Sequence, residues 1–194
     1  TRIDLKKSLD ARYARQLLES NIAGSIGDQL TDDQIQTLSD ITSKQTTASS
    51  RDQIQRFFQM DNAFHEQIYR FADKGNIWNW LLTFSTDLNR YRLLRVYDAN
   101  LPMDRLTDEH KAIIAAFAAH DADKVRQLVY SHLNLMLSEQ QSVLDKFLNY
   151  FTNIKYPPQR YSDGTHLLQV CQKGVWAHVD GYTINVMSRI CVHE

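Results

Sequence analysis

The sequence MDNAFHEQIYR, residues 60–70, places Asp61 and His65 four residues apart within a helical pattern of large hydrophobic side chains. The stripe that surrounds them consists of Phe57, Phe58, Phe64, Ile68 and Phe71. Side chains three and four residues apart share one face of a helix, so Asp61 and His65 are predicted to point inward with the stripe. A buried carboxylate without a partner is costly. The stretch therefore predicts a helix with a polar site on its buried face.

The pattern around this stretch is helical from about residue 4 to residue 150. Breakers are sparse there, since the only proline is Pro102 and the only glycines are Gly24, Gly27 and Gly75. The spacing predicts helices over 4–27, 31–48, 51–73, 76–98, 106–119 and 122–151. Short connections between long amphipathic helices predict an all-α antiparallel bundle.

The last forty residues differ in composition from this helical body. The stretch YPPQRYSDG, residues 156–164, is rich in breakers, and β-prone runs on either side of Asp180-Gly181 predict a hairpin. We therefore expect a helical domain at 1–152, followed by a linker and a small β-prone C-terminal appendage at 153–194. Such a change in composition also fits a poorly anchored segment, or one foreign to the natural domain.

Charge and hydropathy exclude several classes of protein. The 194 residues include 22 basic and 23 acidic ones without a cluster of Lys or Arg, so the chain lacks the basic surface of a nucleic-acid binder. No apolar run is long enough for a membrane span and the first residues are charged, so we expect a cytoplasmic protein without a membrane partner. The two cysteines, Cys171 and Cys191, both lie in the tail, so disulfides do not hold the main body together.

Two more histidines fall on hydrophobic stripes. His110 precedes Ile113 and Ile114, and His132 follows Leu128 and Val129 at helical spacing, whereas His120 falls at a helix junction and is predicted to be a solvated turn residue. Three helices would then direct four candidate ligands inward: Asp61, His65, His110 and His132. Three imidazoles and a carboxylate suit a divalent transition metal such as zinc, nickel, manganese or iron. The alternative is a metal-free cluster of buried side chains that hydrogen-bond to one another or to the backbone.

Three stretches together resemble a known family. ARQLLE (14–19), FFQMDNAFH (57–65) and DEHKAIIAAFAAHDADKVRQLVYSHL (108–133) look like the FCD effector-binding domain of GntR-type bacterial transcriptional regulators. The resemblance covers about residues 4–151. It implies a bundle of six or seven helices that binds a metal, zinc foremost, through the residues matching Asp61, His65, His110 and His132.

The resemblance also implies partners. A small organic acid would bind beside the metal, and DNA would be bound only through a winged helix-turn-helix domain that precedes the FCD domain in the family and is missing from this sequence. We therefore interpret the chain as an isolated effector domain, expected to form a homodimer.

Two arginines are candidate effector ligands. Arg15 matches the arginine of the family's first-helix motif and lies on an inward stripe, so its guanidinium could hold a carboxylate through two hydrogen bonds. The alternative is an ordinary surface salt bridge to Glu19 four residues later. Arg90, Arg92 and Arg95 share a helix, and we select Arg92 as the second candidate and expect the other two to be solvated.

The sequence leaves three functions open. A sensor would bind the acid beside the metal, a metal-dependent hydrolase would use metal-bound water, and a dimerisation module would use the ion for structure alone. Glu66 and Glu109, each one residue from a candidate ligand, are predicted to point about 100° away from it, which leaves no clear general base and favours the sensor. A second metal site in the tail would need four residues whose spacing fits no paired zinc motif: Cys171, His178, Cys191 and His193.

Overall fold

The computed structural model describes residues 1–97, 102–154, 176–179 and 182–185. These residues form seven α-helices, which confirms the predicted all-α class. The helices are α1 (Leu5–Ser25), α2 (Asp32–Thr47), α3 (Ile54–Phe71), α4 (Gly75–Phe84), α5 (Thr86–Tyr97), α6 (Asp104–Ala118) and α7 (Ala122–Phe147). Four short strands accompany them: β1 (Ile3–Asp4), β2 (Phe151–Thr152), β3 (Trp176–Val179) and β4 (Tyr182–Asn185). No helix in these ranges is long and apolar enough to cross a membrane.

The long helices α1 and α7 pack along each other, with α5 against α1, and α2 packs on both α3 and α6. One hydrophobic cluster joins α1, α2, α3, α6 and α7, and its fully buried members include Leu38, Phe64, Ile68, Phe117 and Val125. A second cluster joins α1, α5 and α7 to the strands β1 and β2, which flank the helical body in sequence. The histidine-bearing helices α3, α6 and α7 are thus fixed by the first cluster.

The single helix predicted over 76–98 is wrong, because the chain forms two helices, α4 and α5, that meet at Ser85. The Ser85 hydroxyl donates to the Leu81 carbonyl at 2.7 Å, and the Ser85 carbonyl accepts from the Asn89 amide at 2.8 Å. A serine side chain competes for backbone hydrogen bonds, which favours a break at a helix end. The hydrophobic pattern continues through the break, so periodicity gave no sign of it.

The junction between α6 and α7 agrees with its prediction. His120 is exposed and has a positive φ of 53° directly after α6, and the Asp121 side chain accepts from the Lys124 amide at 2.9 Å at the start of α7. The left-handed backbone ends one helix and the carboxylate caps the next. His120 is therefore a turn residue on the surface.

A short parallel strand pair connects the two ends of the helical body. Ile3 pairs with Phe151 and Asp4 with Thr152, and the Asn153 amide donates to Asp4 at 2.8 Å. Phe151 is only 1% exposed within the second hydrophobic cluster. Two-residue strands are too short to show periodicity, so the sequence did not predict this pairing.

The C-terminal residues form a unit of their own. Contacts divide the chain into residues 1–158 and 159–194. In the second unit, β3 and β4 pair antiparallel with Val179 opposite Tyr182, which confirms the predicted hairpin. Three residues of the alternative tail metal site, Cys171, Cys191 and His193, lie outside the described residues, and the domain boundary at residue 152 stays a prediction.

Two truncations would test that boundary. A chain that ends at Ile154 keeps β2 and Phe151, and we expect it to retain the helical circular dichroism and unfolding free energy of the parent. A chain that ends at Tyr150 lacks both β2 and Phe151. We expect its unfolding free energy to fall by about 3–5 kcal/mol, the usual cost of removing one buried phenylalanine side chain. Urea unfolding followed by circular dichroism compares the two chains. Equal destabilisation of both would show that the residues after 154 support the bundle.

Candidate metal centre and adjoining cavity

The structure brings the four candidate metal ligands together inside the bundle. Asp61 and His65 lie one turn apart on α3, His110 lies on α6 and His132 on α7, with 1%, 1%, 0% and 7% of their surface exposed, respectively. The three histidines offer nitrogen atoms that all lie within 4.8 Å of one another. The Phe64 ring stacks on the His110 ring with centroids 3.9 Å apart, which fixes the plane of that imidazole.

An oxygen acceptor holds the Nδ1 atom of each imidazole. The three contacts are His65 with Glu19 Oε1, His110 with Gln45 Oε1 at 2.8 Å, and His132 with Glu109 Oε2 at 2.7 Å. An ionised carboxylate or an amide oxygen only accepts hydrogen bonds, so each Nδ1 donates and each Nε2 is left free to face the interior of the cluster. This is the arrangement in which the second ring nitrogen of a metal-bound histidine is usually held.

The Nε2 atoms converge on a small volume beside Asp61. His65 Nε2 lies 3.4 Å from His132 Nε2 and 3.7 Å from Asp61 Oδ2, and His110 Nε2 lies 3.9 Å from Asp61 Oδ1. Two nitrogens bound tetrahedrally to zinc, with bonds near 2.1 Å, are separated by about 3.4 Å. His110 Nε2 is buried and has no hydrogen-bond partner among the described residues. The donor types and separations therefore fit a divalent transition metal.

Burial sets the protonation states that such an ion requires. Burial lowers the pKa of His65 despite the nearby Glu19, and burial together with His132 lowers the pKa of His110 well below its ordinary value. Burial alone would raise the pKa of Asp61, but the Arg92 guanidinium and the surrounding imidazoles outweigh it and lower that pKa. The two imidazoles are therefore neutral and Asp61 is ionised at neutral pH, as metal ligands must be.

The predicted effector ligand Arg15 is buried and hydrogen-bonded. Only 4% exposed, it donates from Nε and Nη2 to Glu19 Oε2 at 3.3 and 3.2 Å, and so reaches the carboxylate that holds His65. Burial would raise the pKa of Glu19, but Arg15 and His65 together lower it to about 2. The pairing with Glu19, which the sequence offered as the alternative to effector binding, thus exists, but as a buried pair and not a surface one.

Arg92, the second candidate, contacts the other carboxylate of the cluster. Its Nη2 donates to Asp61 Oδ2, and its Nη1 donates to Asn62 Oδ1 at 3.0 Å and to Asn89 Oδ1 at 3.2 Å. The Asp61 Oδ1 atom accepts from Gln45 Nε2 at 3.1 Å. Asp61 is therefore held on both oxygens while it faces the histidines.

A cavity of about 60 Å³ adjoins the histidines. One buried water needs roughly 10–15 Å³, so the cavity has room for more than one small group. Its lining combines the candidate ligands, four arginines and apolar side chains: Arg12, Arg15, Phe58, Asp61, His65, Leu88, Arg92, Arg95, Leu106, His132, Leu133 and Met136. Both predicted effector ligands thus line one cavity with two of the histidines.

Some expectations about neighbouring residues were wrong. Glu109 does not point away from the cluster, because its flexible side chain reaches His132 on α7 from a position beside His110. Arg95 is not solvated, being 5% exposed and bonded through Nε and Nη2 to Glu139. The periodicity of hydrophobic residues along one helix cannot predict contacts that long side chains make with other helices.

Other residues of the site were missed altogether. Arg12 lies three residues before Arg15, so the inward face assigned to Arg15 could have identified it. Glu19 was named only as a surface partner of Arg15, and its contact with His65 was missed. Gln45, which links His110 to Asp61, carries no sequence signal because amides are common on exposed helix faces.

Comparison with known proteins agrees with this architecture. Residues 10–135 match the family model of the FCD domain. The chain is 22% identical over 151 residues to the HTH-type transcriptional repressor RspR of Escherichia coli K12, covering 78% of this chain and 66% of that protein. It is also 22% identical over 143 residues to an uncharacterized HTH-type transcriptional regulator in an unstable DNA locus of Streptomyces ambofaciens, covering 74% and 59%.

The chain thus spans slightly less than two thirds of these relatives' length. The family match extends from α1 into α7 and includes every histidine of the cluster. It points to a regulatory domain and not to an enzyme, which sets aside the hydrolase alternative. The chain belongs to the FCD family, the effector-binding domains of GntR-type transcriptional regulators.

Proposed function

We propose that this domain senses a small carboxylate through a divalent transition metal, zinc foremost, held by His65, His110, His132 and Asp61. The observation that carries the proposal is the convergence of the three Nε2 atoms while oxygen acceptors hold all three Nδ1 atoms. His65 Nε2 and His132 Nε2 lie 3.4 Å apart, the separation of two nitrogens bound to one tetrahedral zinc ion. An ion between them would accept a coordinate bond from each.

The effector would lie in the cavity beside the ion. Its carboxylate and a neighbouring oxygen could reach the metal, while Arg15 and Arg92 supply the N–H donors that carboxylates prefer. A hydroxy acid or sugar acid has oxygens at this spacing. The cavity's apolar side, which includes Leu88 and Met136, would accommodate the carbon chain.

Regulation would pass through α1. This helix carries Arg15, which lines the cavity, and Glu19, which holds His65, so ligand binding would bias the position of α1 relative to α3. A ligand shifts such an equilibrium only by its different affinities for the two arrangements. We propose that the position of α1 controls DNA binding by an attached winged helix-turn-helix domain in a homodimer of the full regulator.

The test is metal-dependent stabilisation by acids. The zinc-loaded domain is screened by thermal shift against hydroxy acids and sugar acids, with the primary amide of each acid as its matched control. A bound acid at 100 times its dissociation constant adds about 2.7 kcal/mol to stability. We expect stabilisation by an acid and not by its amide, and we expect its loss after the metal is chelated.

Each contrary outcome identifies a different alternative. Stabilisation by an acid that survives chelation would support a metal-free binding site. Turnover of the acid would support the enzyme. Metal binding without a response to any acid would leave the dimerisation module with a structural ion.

A further inference from the structure

The cavity beside the candidate metal ligands is largely hydrophobic inside. Most of the surface that faces it is apolar, although four arginines are among its lining residues. Arginine side chains present methylene groups as well as charge, and five apolar side chains from α3, α5, α6 and α7 complete the lining: Phe58, Leu88, Leu106, Leu133 and Met136. A ligand in the cavity would therefore contact hydrocarbon over most of its surface.

The polar groups of the lining already have protein partners. The four arginines each bind a neighbouring side chain: Arg12 Nη1 donates to Gln16 Oε1 at 2.8 Å, and ion pairs join Arg15 to Glu19, Arg92 to Asp61 and Arg95 to Glu139. A carboxylate can share a guanidinium, because its hydrogen bonds are charge-assisted. A neutral hydroxyl elsewhere on the ligand would compete with these contacts or lose its hydrogen bonds to water, which is costly.

The apolar part of the lining begins one helical turn from the polar part. Leu88 lies four residues before Arg92 on α5, and Met136 lies four residues after His132 on α7. Leu88 and Met136 both belong to the second hydrophobic cluster. The cavity therefore lies between the candidate metal ligands and this cluster. An acid whose carboxylate faces the metal would point its other end at hydrocarbon.

The size of the cavity limits the ligand. Its volume of about 60 Å³ has room for about four to six groups of the size of a water molecule, at roughly 10–15 Å³ each. This suits a hydroxy acid of three or four carbons. A six-carbon sugar acid has about twice as many non-hydrogen atoms and carries a hydroxyl on nearly every carbon.

We propose, building on the metal-anchored acid site above, that the effector is a short 2-hydroxy monocarboxylate whose tail is an unsubstituted hydrocarbon chain. Its carboxylate and 2-hydroxyl face the ion, Arg15 and Arg92, and its tail contacts Leu88, Leu106 and Met136. Acids that carry further hydroxyls along the tail bind more weakly, because the apolar wall offers those hydroxyls no hydrogen bond.

Leu106 is the residue of this wall that is best suited to mutation. It lines the cavity and is half-buried, yet among the described residues it belongs to none of the three hydrophobic clusters. Replacing it therefore changes the cavity with little effect on the packing of the bundle.

The test uses matched pairs of acids that differ by one hydroxyl at the end of the tail. Lactate is compared with glycerate, and 2-hydroxybutyrate with 2,4-dihydroxybutyrate, by calorimetry on the zinc-loaded protein. We expect the member with the alkyl tail to bind about 10- to 100-fold more tightly, the range over which an apolar pocket rejects an added hydroxyl. From glycolate to lactate to 2-hydroxybutyrate, affinity should rise about fourfold for each methylene buried.

Two variants of Leu106 locate the discrimination. Leu106→Asn has nearly the volume of the parent but gives a tail hydroxyl a partner, so the preference within each pair should fall at least about tenfold. Leu106→Ala needs no buried amide and enlarges the cavity, so the best chain length should increase by about one or two carbons. The control is Leu82→Asn at an exposed leucine of α4 outside the lining, which should keep the preference of the parent.

Equal affinities within both pairs would overturn the inference, as would discrimination and chain-length preference that stay unchanged in both Leu106 variants. Binding of gluconate but of no alkyl hydroxy acid would also overturn it and would leave the metal-anchored acid site standing. Binding of no acid at all would refute that site itself. The two failures are therefore distinguishable.

Discussion

Replacing His110 or His132 by alanine is expected to remove nearly all bound metal, whereas His120→Ala leaves the content of the parent. We expect close to one divalent ion per parent chain, because the histidine nitrogens converge within 4.8 Å on one point. Loss of one imidazole removes a coordinate bond and leaves water or an empty position among hydrophobic neighbours. Elemental analysis after dialysis against dilute zinc gives the number of ions per chain for each variant.

His120 is the matched control because it is a histidine on the same segment as His110 and His132 but is exposed in a turn. His110→Ala also removes a ring stacked on Phe64 and could disturb packing, so His110→Gln, which preserves more volume, accompanies it. Circular dichroism establishes that each variant is folded. Equal metal content in folded variants of all three positions would contradict the proposed metal site.

Arg15→Ala is expected to cost about 3–5 kcal/mol of unfolding free energy, the usual result of leaving one partner of a buried ion pair behind. The side chains of Arg15 and Glu19 are 5% and 0% exposed, so the carboxylate that remains is buried without its guanidinium partner. The orphaned carboxylate would also disturb His65, whose Nδ1 it holds. Urea unfolding of parent and variant at neutral pH measures the difference.

Arg70→Ala provides the control, since Arg70 and Glu66 also lie four residues apart on one helix. Their side chains are 64% and 32% exposed, so the pair is screened by water and its loss should change stability by less than about 1 kcal/mol. If Arg15→Ala were as mild as Arg70→Ala, the pair on α1 would be equivalent to a surface salt bridge. Arg15 would then lose its connection to the metal cluster.

The sequence predicted those parts of the molecule that repeat regularly. The hydrophobic stripes correctly predicted the extent of the helical body. They also predicted that His65, His110 and His132 point inward, because a helix places every third and fourth residue on one face. The break at Ser85 was missed since a single hydroxyl causes it within an unbroken stripe. The pairing of Ile3 with Phe151 was missed since it joins residues from opposite ends of the helical body.

The polar surroundings of the site were less predictable for a related reason. Gln45, Glu109 and Glu139 each contact a residue on another helix, and such contacts depend on helix positions and side-chain rotamers that no short pattern encodes. The pairing of Arg15 with Glu19 could be predicted because the two residues lie one turn apart on the same helix. Their burial could not be predicted, because it depends on how α1 packs against its neighbours.

The contacts made by α1 have a consequence for what the domain can report. Glu19 orients a candidate metal ligand, and Arg15 on the same helix contacts both Glu19 and the cavity. If the ion and the acid bind as proposed, each makes the other's site more rigid, and by reciprocity each raises the other's affinity by the same factor. The domain would then work as a coincidence detector, in which the acid alone, in a cell starved of the metal, gives a weaker signal than acid and metal together.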